Sequence, residues 1–222
     1  MILKAALFDL DGTLYDRDAL VHRLFAEQFD AFKPQLNAIP PDTFISRLVA
    51  LDDHGYRDKR DVYRIAGAEW GFASDLCGLL ENDFWNRYDG HCVLDADVRN
   101  TLETLRARAV KTALVTNGGA DRQRRKIDAL GLSSSFDAIL ISEVEGVRKP
   151  DPEIFGRALA RCGVDASAAL YVGDHPDVDI GGALGAGLHA VWKAVPYWFC
   201  TYDVPVVRQL SEILPMFDRP RS

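Results

Sequence analysis

The sequence predicts an α/β fold: a doubly wound parallel sheet carrying a helical insert after its first strand. Three observations predict it. Five short apolar runs, Leu3–Phe8, Lys111–Val115, Phe136–Ile141, Ala169–Val172 and Leu188–Trp192, are continuous rather than alternating, as parallel strands covered on both faces are. Helical patterns separate the later runs. Between the first two runs lies a long stretch with helical periodicity and no convincing strand, too long for a simple crossover.

The elements follow in order. After Leu3–Phe8, the stretch from Asp16 shows one apolar stripe of Val21, Phe25, Phe29 and Phe32 and another of Phe44, Leu48 and Leu51, with breaks at Pro40-Pro41, His54-Gly55 and Gly71. Residues 16–94 are therefore expected to form a helical cap, and residues 1–15 and 95–222 the sheet domain. Val98–Ala109 is expected as a helix, and Gly119–Leu130 as another stopped by Gly131. Pro152–Cys162 carries its own signals: Asp151 as N-cap, Pro152 at the first position, an inward face of Ile154, Phe155, Ala158, Leu159 and Cys162, and Gly163 as stop. Pro196–Pro205 reads as a loop and Val206–Phe217 as a final helix.

Composition narrows the function. The chain has 222 residues, 48% hydrophobic and 27% charged, which suits a packed fold with a sizeable core. The 26 basic and 33 acidic residues give a net charge of -7, which disfavours nucleic acid or an anionic membrane surface as partner. No stretch is apolar enough to span a bilayer, and Met1–Lys4 runs into the first strand without a signal-peptide pattern, so a cytoplasmic location is expected. Cys77, Cys92, Cys162 and Cys200 lack zinc spacing and read as thiols in a reducing compartment.

Four segments carry candidate chemistry, each at or just beyond the carboxyl end of a strand, where open α/β sheets bind ligands. Strand one ends in Asp9-Leu10-Asp11-Gly12-Thr13; carboxylates two apart on extended backbone point the same way. Strand two ends in Thr116-Asn117-Gly118-Gly119, where a hydroxyl and backbone N–H groups before a helix can hold phosphate oxygens. After strand three, Pro150 and Pro152 follow Lys149 and restrict the backbone beside it. Strand four ends in Gly173-Asp174-His175-Pro176-Asp177-Val178-Asp179, which with Asp9 and Asp11 supplies hard oxygen ligands suited to Mg2+. Each segment alone also reads as an ordinary turn or cap. No phosphate-binding G-x-x-x-x-G-K-[ST] is present, and Gly181, Gly182, Gly185 and Gly187 sit in a helix-like stretch.

Taken in order, Asp9-x-Asp11-Gly-Thr, Thr116-Asn117, Lys149-Pro and Gly173-Asp174 with Asp179 resemble the four motifs of the haloacid dehalogenase-like (HAD) hydrolase superfamily. The resemblance covers Met1–Asp16 and roughly Leu94–Trp192, and the insert is similar to the family's helical cap by position. It implies a Rossmann-like core and a Mg2+-dependent phosphatase acting on a small-molecule phosphate ester, as a monomer or homodimer. Residue by residue, it implies Asp9 as nucleophile forming an aspartyl phosphate and Asp11 as general acid and base. Thr116, Asn117 and Gly118 would position phosphate and backbone, and Lys149 would steady nucleophile and phosphate. Asp9, the backbone carbonyl of Asp11, and Asp174 would bind Mg2+, with Asp179 supporting the metal; spacing leaves open whether Asp177 takes that last place. The superfamily's dehalogenases lack the acid at position 11, because a departing halide needs no proton.

The sequence is also compatible with a phosphomutase of the same superfamily and with a phosphate-sensing regulatory protein. In the insert, Tyr15, Arg17, His22, Arg47, Asp53, His54, Tyr56, Lys59 and Arg60 read mostly as solvated faces, with Leu51–Tyr56 a glycine-hinged turn able to reach substrate. The run Arg122, Arg124, Arg125 and Lys126 reads as a solvated helix face, and His175 as a turn cap or a residue of the pocket mouth.

Overall fold

The computed structural model of the chain describes residues 2–218. It contains two compact units: one runs through Tyr15 and resumes at Val93, and the other is Asp16–Cys92.

The first unit is built on six parallel strands: β1 (Ala5–Phe8), β2 (Lys111–Thr116), β3 (Ala138–Ile141), β4 (Ala169–Gly173), β5 (His189–Lys193) and β6 (Val206–Val207). They are ordered β3-β2-β1-β4-β5-β6, so β1 is central and the chain reverses direction across the sheet beside it. Ala5 pairs with Lys111 on one side and Ala169 on the other, which brings the carboxyl ends of β1, β2 and β4 level. Every side chain of β1 is buried, as expected for a strand with packed elements on both faces.

One apolar layer joins Leu7, Val115, Leu140 and Tyr171 of the sheet to Ile154, Phe155, Ala158 and Leu159. The latter belong to α9, Pro152–Cys162, numbered in chain order. The Asp151 carboxylate accepts from the Glu153 N–H (2.9 Å) and Gly163 closes the helix in the left-handed region. The other helices of this unit are α6 (Ala96–Ala107), α7 (Ala120–Ala129), and the short α8 (Ser142–Glu145) and α10 (Gly182–Gly185).

The end of the chain departs from the expected helix over Val206–Phe217. Val206 and Val207, β-branched and extended, pair with Trp192 and Lys193 as the sixth strand. Leu210–Phe217 is then a 3-10 helix rather than an α-helix; it contains Pro215, which lacks the N–H an α-helical turn needs. Gln209 and Glu212 form its capping box.

The second unit is helical: α1 (Arg17–Ala31), α2 (Lys33–Leu36), α3 (Pro41–Asp52), α4 (Lys59–Trp70) and α5 (Ser74–Tyr88). Its core is aromatic, with Phe25 against Phe84 at 5.5 Å and Phe29 against Phe44 at 5.5 Å. Two residues expected on solvated faces, Arg17 and Lys59, are instead buried. Arg17 grips Asp52 with two N–H groups (2.7 and 3.1 Å), and Lys59 joins the same carboxylate while lying 4.9 Å from the Phe84 ring centroid. Asp52 thus compensates two buried cations, which burial would otherwise penalise. The turn that follows carries positive φ at Asp53, His54 and Gly55 in succession. No helix among the described residues is long and apolar enough to cross a membrane.

Candidate active site

Asp9 follows β1 directly and is buried, its backbone N–H donating to the Val172 carbonyl of β4 (3.0 Å). Gly12 then turns the chain at φ +85°, and a Cβ there would stand 2.5 Å from an Asp174 carboxylate oxygen. Only glycine lets the loop after β1 both adopt that backbone and approach Asp174 so closely. The Thr13 hydroxyl, behind them, lies 3.4 Å from carboxylate oxygens of Asp9 and of Asp174.

At the end of β4, a π-helical turn over Pro176–Gly181 folds the chain back, with the Ile180 N–H donating to the His175 carbonyl (3.3 Å). His175 Nδ1 accepts from the N–H groups of Asp177 and Val178 (both 3.2 Å), so the ring caps the turn through its unprotonated nitrogen. The fold-back places Asp179, rather than Asp177, beside Asp9 and Asp174. Asp177 instead accepts from the Tyr202 hydroxyl (3.3 Å). One carboxylate oxygen from each of Asp9, Asp174 and Asp179 lies within 4.8 Å of the others, all three side chains buried.

Lys149 closes this acidic group. Its ammonium donates to Asp9 (2.6 Å), to Asp179 (2.7 Å) and to the Tyr171 hydroxyl (2.9 Å), and only 2% of the residue is exposed. Its backbone is held by Asn117, whose side-chain amide donates to the Lys149 carbonyl (2.9 Å) and accepts from its N–H (3.0 Å). The carboxyl end of β2 is thereby tied to the lysine loop.

The electrostatics follow from crowding. Burial, with the like charges of Asp179 and Asp11 adding to it, pushes the Asp9 carboxyl up to about 7 although Lys149 opposes the shift. Asp174 is likewise held well above the usual carboxylate range, first by burial and then by Asp9 and Asp179. Burial opposes the charge on Lys149, but Asp179 and Asp9 outweigh it and hold the ammonium above its ordinary range. One buried ammonium faces three buried carboxylates, a surplus of negative charge in low-dielectric surroundings. The donors are all carboxylate oxygens, the set a hard divalent cation such as Mg2+ takes.

A family model for haloacid dehalogenase-like hydrolases matches residues 3–187. This chain belongs to that family. As a HAD hydrolase it is 45% identical over 205 residues to a glyceraldehyde 3-phosphate phosphatase of Methanopyrus kandleri, covering 86% of this chain and 83% of that protein. It is 33% identical over 237 residues to the protein of the same name from Pyrococcus furiosus, covering 98% and 94%. A solved structure, a 2-haloacid dehalogenase from Pseudomonas syringae pv. Tomato DC3000, superposes with a TM-score of 0.63 at 31% identity, covering 97% of this chain and 98% of that one.

The remaining expected residues of this HAD hydrolase lie on the other side of Asp9. Thr116 is buried and its hydroxyl accepts from Gln123 Nε2 (2.5 Å). The Gly118 N–H, expected to face phosphate, donates to the Ser142 hydroxyl (3.0 Å), and the first N–H of α7, that of Ala120, donates to Glu143 (2.7 Å). The Asn117 side chain is spent on the Lys149 backbone. Asp11 is partly buried and is held by Lys126, Gln123 and the Tyr15 hydroxyl. Lys126 therefore does not lie on a solvated face: Gln123, Lys126 and Ile127 are the buried residues of α7. Gln123 and Lys126 share a helix face with Ile127, so the spacing was available in the sequence, but nothing there named the distant partner, Asp11, that lets these polar side chains face inward.

Proposed function

We propose that this HAD hydrolase is a Mg2+-dependent phosphatase that transfers the phosphoryl group of a small phosphorylated metabolite to Asp9 and then to water. The observation that carries the reading is the buried group of Asp9, Asp174 and Asp179 closed by Lys149 at the carboxyl ends of β1 and β4.

Asp9 is the nucleophile: its carboxylate oxygen bonds to phosphorus as the ester P–O bond breaks, and the departing oxygen takes a proton from Asp11. In the second half, water gives a proton to Asp11 and attacks phosphorus, the Asp9–P bond breaks, and inorganic phosphate leaves. Lys149 holds Asp9 in place and shares its charge, and Asn117 fixes the lysine by its backbone. Thr116 offers its hydroxyl toward phosphate. Mg2+ would be held by Asp9, Asp174 and the Asp11 carbonyl, with Asp179 supporting, and would supply the positive charge that lets a phosphate dianion join these carboxylates.

Asp11 favours a phosphate ester over a haloacid, since an alkoxide leaving group needs a proton and a halide does not. The names of the two archaeal relatives put short sugar phosphates first among substrates. The free thiols Cys77, Cys92, Cys162 and Cys200 fit a cytoplasmic enzyme.

The test is phosphate release from a panel of sugar, nucleotide and short-acid phosphates, with Mg2+ and with chelator. Release from at least one ester, abolished by chelator, is expected. No release from any ester, or release indifferent to chelator, would overturn the reading.

A further inference from the structure

Asp11 is held from α7 in a way that ordinary helix packing does not explain. The Lys126 ammonium donates to both of its carboxylate oxygens (2.8 and 2.9 Å). The Gln123 amide nitrogen has two protons, and it reaches two acceptors: Asp11 Oδ2 (3.1 Å) and the Thr116 hydroxyl (2.5 Å). Both side chains are almost wholly buried, at 8% and 2% exposure. A helix that contributes one apolar residue, Ile127, and two polar ones to its buried face gives up packing energy for a polar contact.

The loop before the helix makes room for this arrangement. Gly118 has φ +152°, and a Cβ there would lie 2.9 Å from Gln123 Cγ. Any side chain at 118 would push Gln123 off both acceptors unless the loop moved.

We propose that Lys126 and Gln123 are positioning residues that orient the Asp11 carboxyl group and lock it to Thr116, so that the proton donor and the phosphate-facing hydroxyl move as one. This rests on the phosphatase reading above, in which Asp11 protonates the leaving oxygen and then accepts a proton from water. Neither α7 residue is assigned contact with substrate; both act through Asp11. The arrangement is one-sided in its demands. An alkoxide cannot leave without the proton that Asp11 delivers, whereas an acidic phenol leaves without it. Both kinds of ester need Asp11 to take the proton from water in the second half.

The test compares D-glyceraldehyde 3-phosphate with p-nitrophenyl phosphate in Lys126→Met and Gln123→Ala, with Arg124→Met, an exposed charge on the same helix, as control. Displacing a group by about an ångström costs about 100-fold in rate. Turnover of the sugar phosphate is therefore expected to fall about 100-fold in Lys126→Met, while the first release of p-nitrophenolate keeps its wild-type rate and appears as a burst stoichiometric with enzyme. Gln123→Ala should show the same split, Arg124→Met neither effect, and Lys126→Met should add nothing in an Asp11→Asn background. A first release of p-nitrophenolate slowed as much as turnover of the sugar phosphate, or no loss on either ester, would overturn the assignment, and Gln123→Ala decides it if Lys126→Met does not fold. Failure of the wild-type protein to release phosphate from either ester would instead overturn the phosphatase reading.

Discussion

Replacing Lys149 with Met removes one ammonium and little volume, and the structure sets the consequence. The ammonium stands 2.6 Å from Asp9 and 2.7 Å from Asp179, and all three groups are buried. At an effective dielectric of about 20, each attraction is worth roughly 6 kcal/mol before desolvation, which takes back several kcal/mol. Removing one partner of such a pair leaves uncompensated buried charge, at a net cost of about 3–5 kcal/mol. A proton can relieve part of that cost. Asp9 already titrates at about 7 with the lysine in place, and loss of the lysine raises it further.

The sign follows from linkage. A carboxyl whose folded pKa exceeds its unfolded value binds an extra proton when folded, so its contribution is fully present below the ordinary carboxylate range and is lost as pH rises through the folded value. In chelator, Lys149→Met should therefore lose about 3–5 kcal/mol near pH 8 and distinctly less near pH 6. With a urea dependence of about 2 kcal/mol per molar, the midpoint at pH 8 should drop by about 2 M. Adding Asp179→Asn, which removes one of the abandoned carboxylates, should recover part of the loss. A loss below about 1 kcal/mol at pH 8, or further destabilisation by Asp179→Asn, would refute the electrostatic account of the site.

Two further outcomes follow from the same geometry. Mg2+ must displace protons from Asp9 and Asp174, both held above the usual carboxylate range, so its affinity should rise as pH increases through about 7, with protons released on binding; calorimetry in buffers of different ionisation heat measures this, and affinity flat between pH 6 and 8 would contradict it. Gly12→Ala forces a Cβ to within 2.5 Å of the Asp174 carboxylate at an unfavourable φ, so Mg2+-dependent phosphate release should fall by at least about 10-fold, and wild-type rates would show that the close approach is dispensable.

The parallel sheet was legible because buried strands write themselves as short continuous apolar runs, and all five that the sequence displays are strands in the structure. The well-capped α9 was legible to the residue, since Asp151, Pro152 and Gly163 mark both of its ends. The two-residue strand at Val206 was not, because so short a run has no periodicity and borrows its conformation from pairing with Trp192 and Lys193. The same division holds in the site. Asp9, Asp174 and Lys149 sit where strand ends must converge, so their meeting was inferable from topology. The choice of Asp179 over Asp177 depended on a π-helical turn that no local signal distinguishes from an α-helical one. The engagement of Arg17, Lys59, Lys126 and Gln123 in buried polar contacts was hidden because a charged or amide side chain reads as solvent-facing until its partner, distant in sequence, is known.

In the proposed mechanism Asp9 carries the phosphoryl group between the two halves of the reaction. Rapid acid quenching during turnover of p-nitrophenyl phosphate, followed by peptide mapping by mass spectrometry, tests it most directly. A phosphoryl group on the peptide containing Asp9, absent in Asp9→Asn, is the predicted result. Steady phosphate release by Asp9→Asn at the wild-type rate, with no modified peptide in either protein, would contradict it.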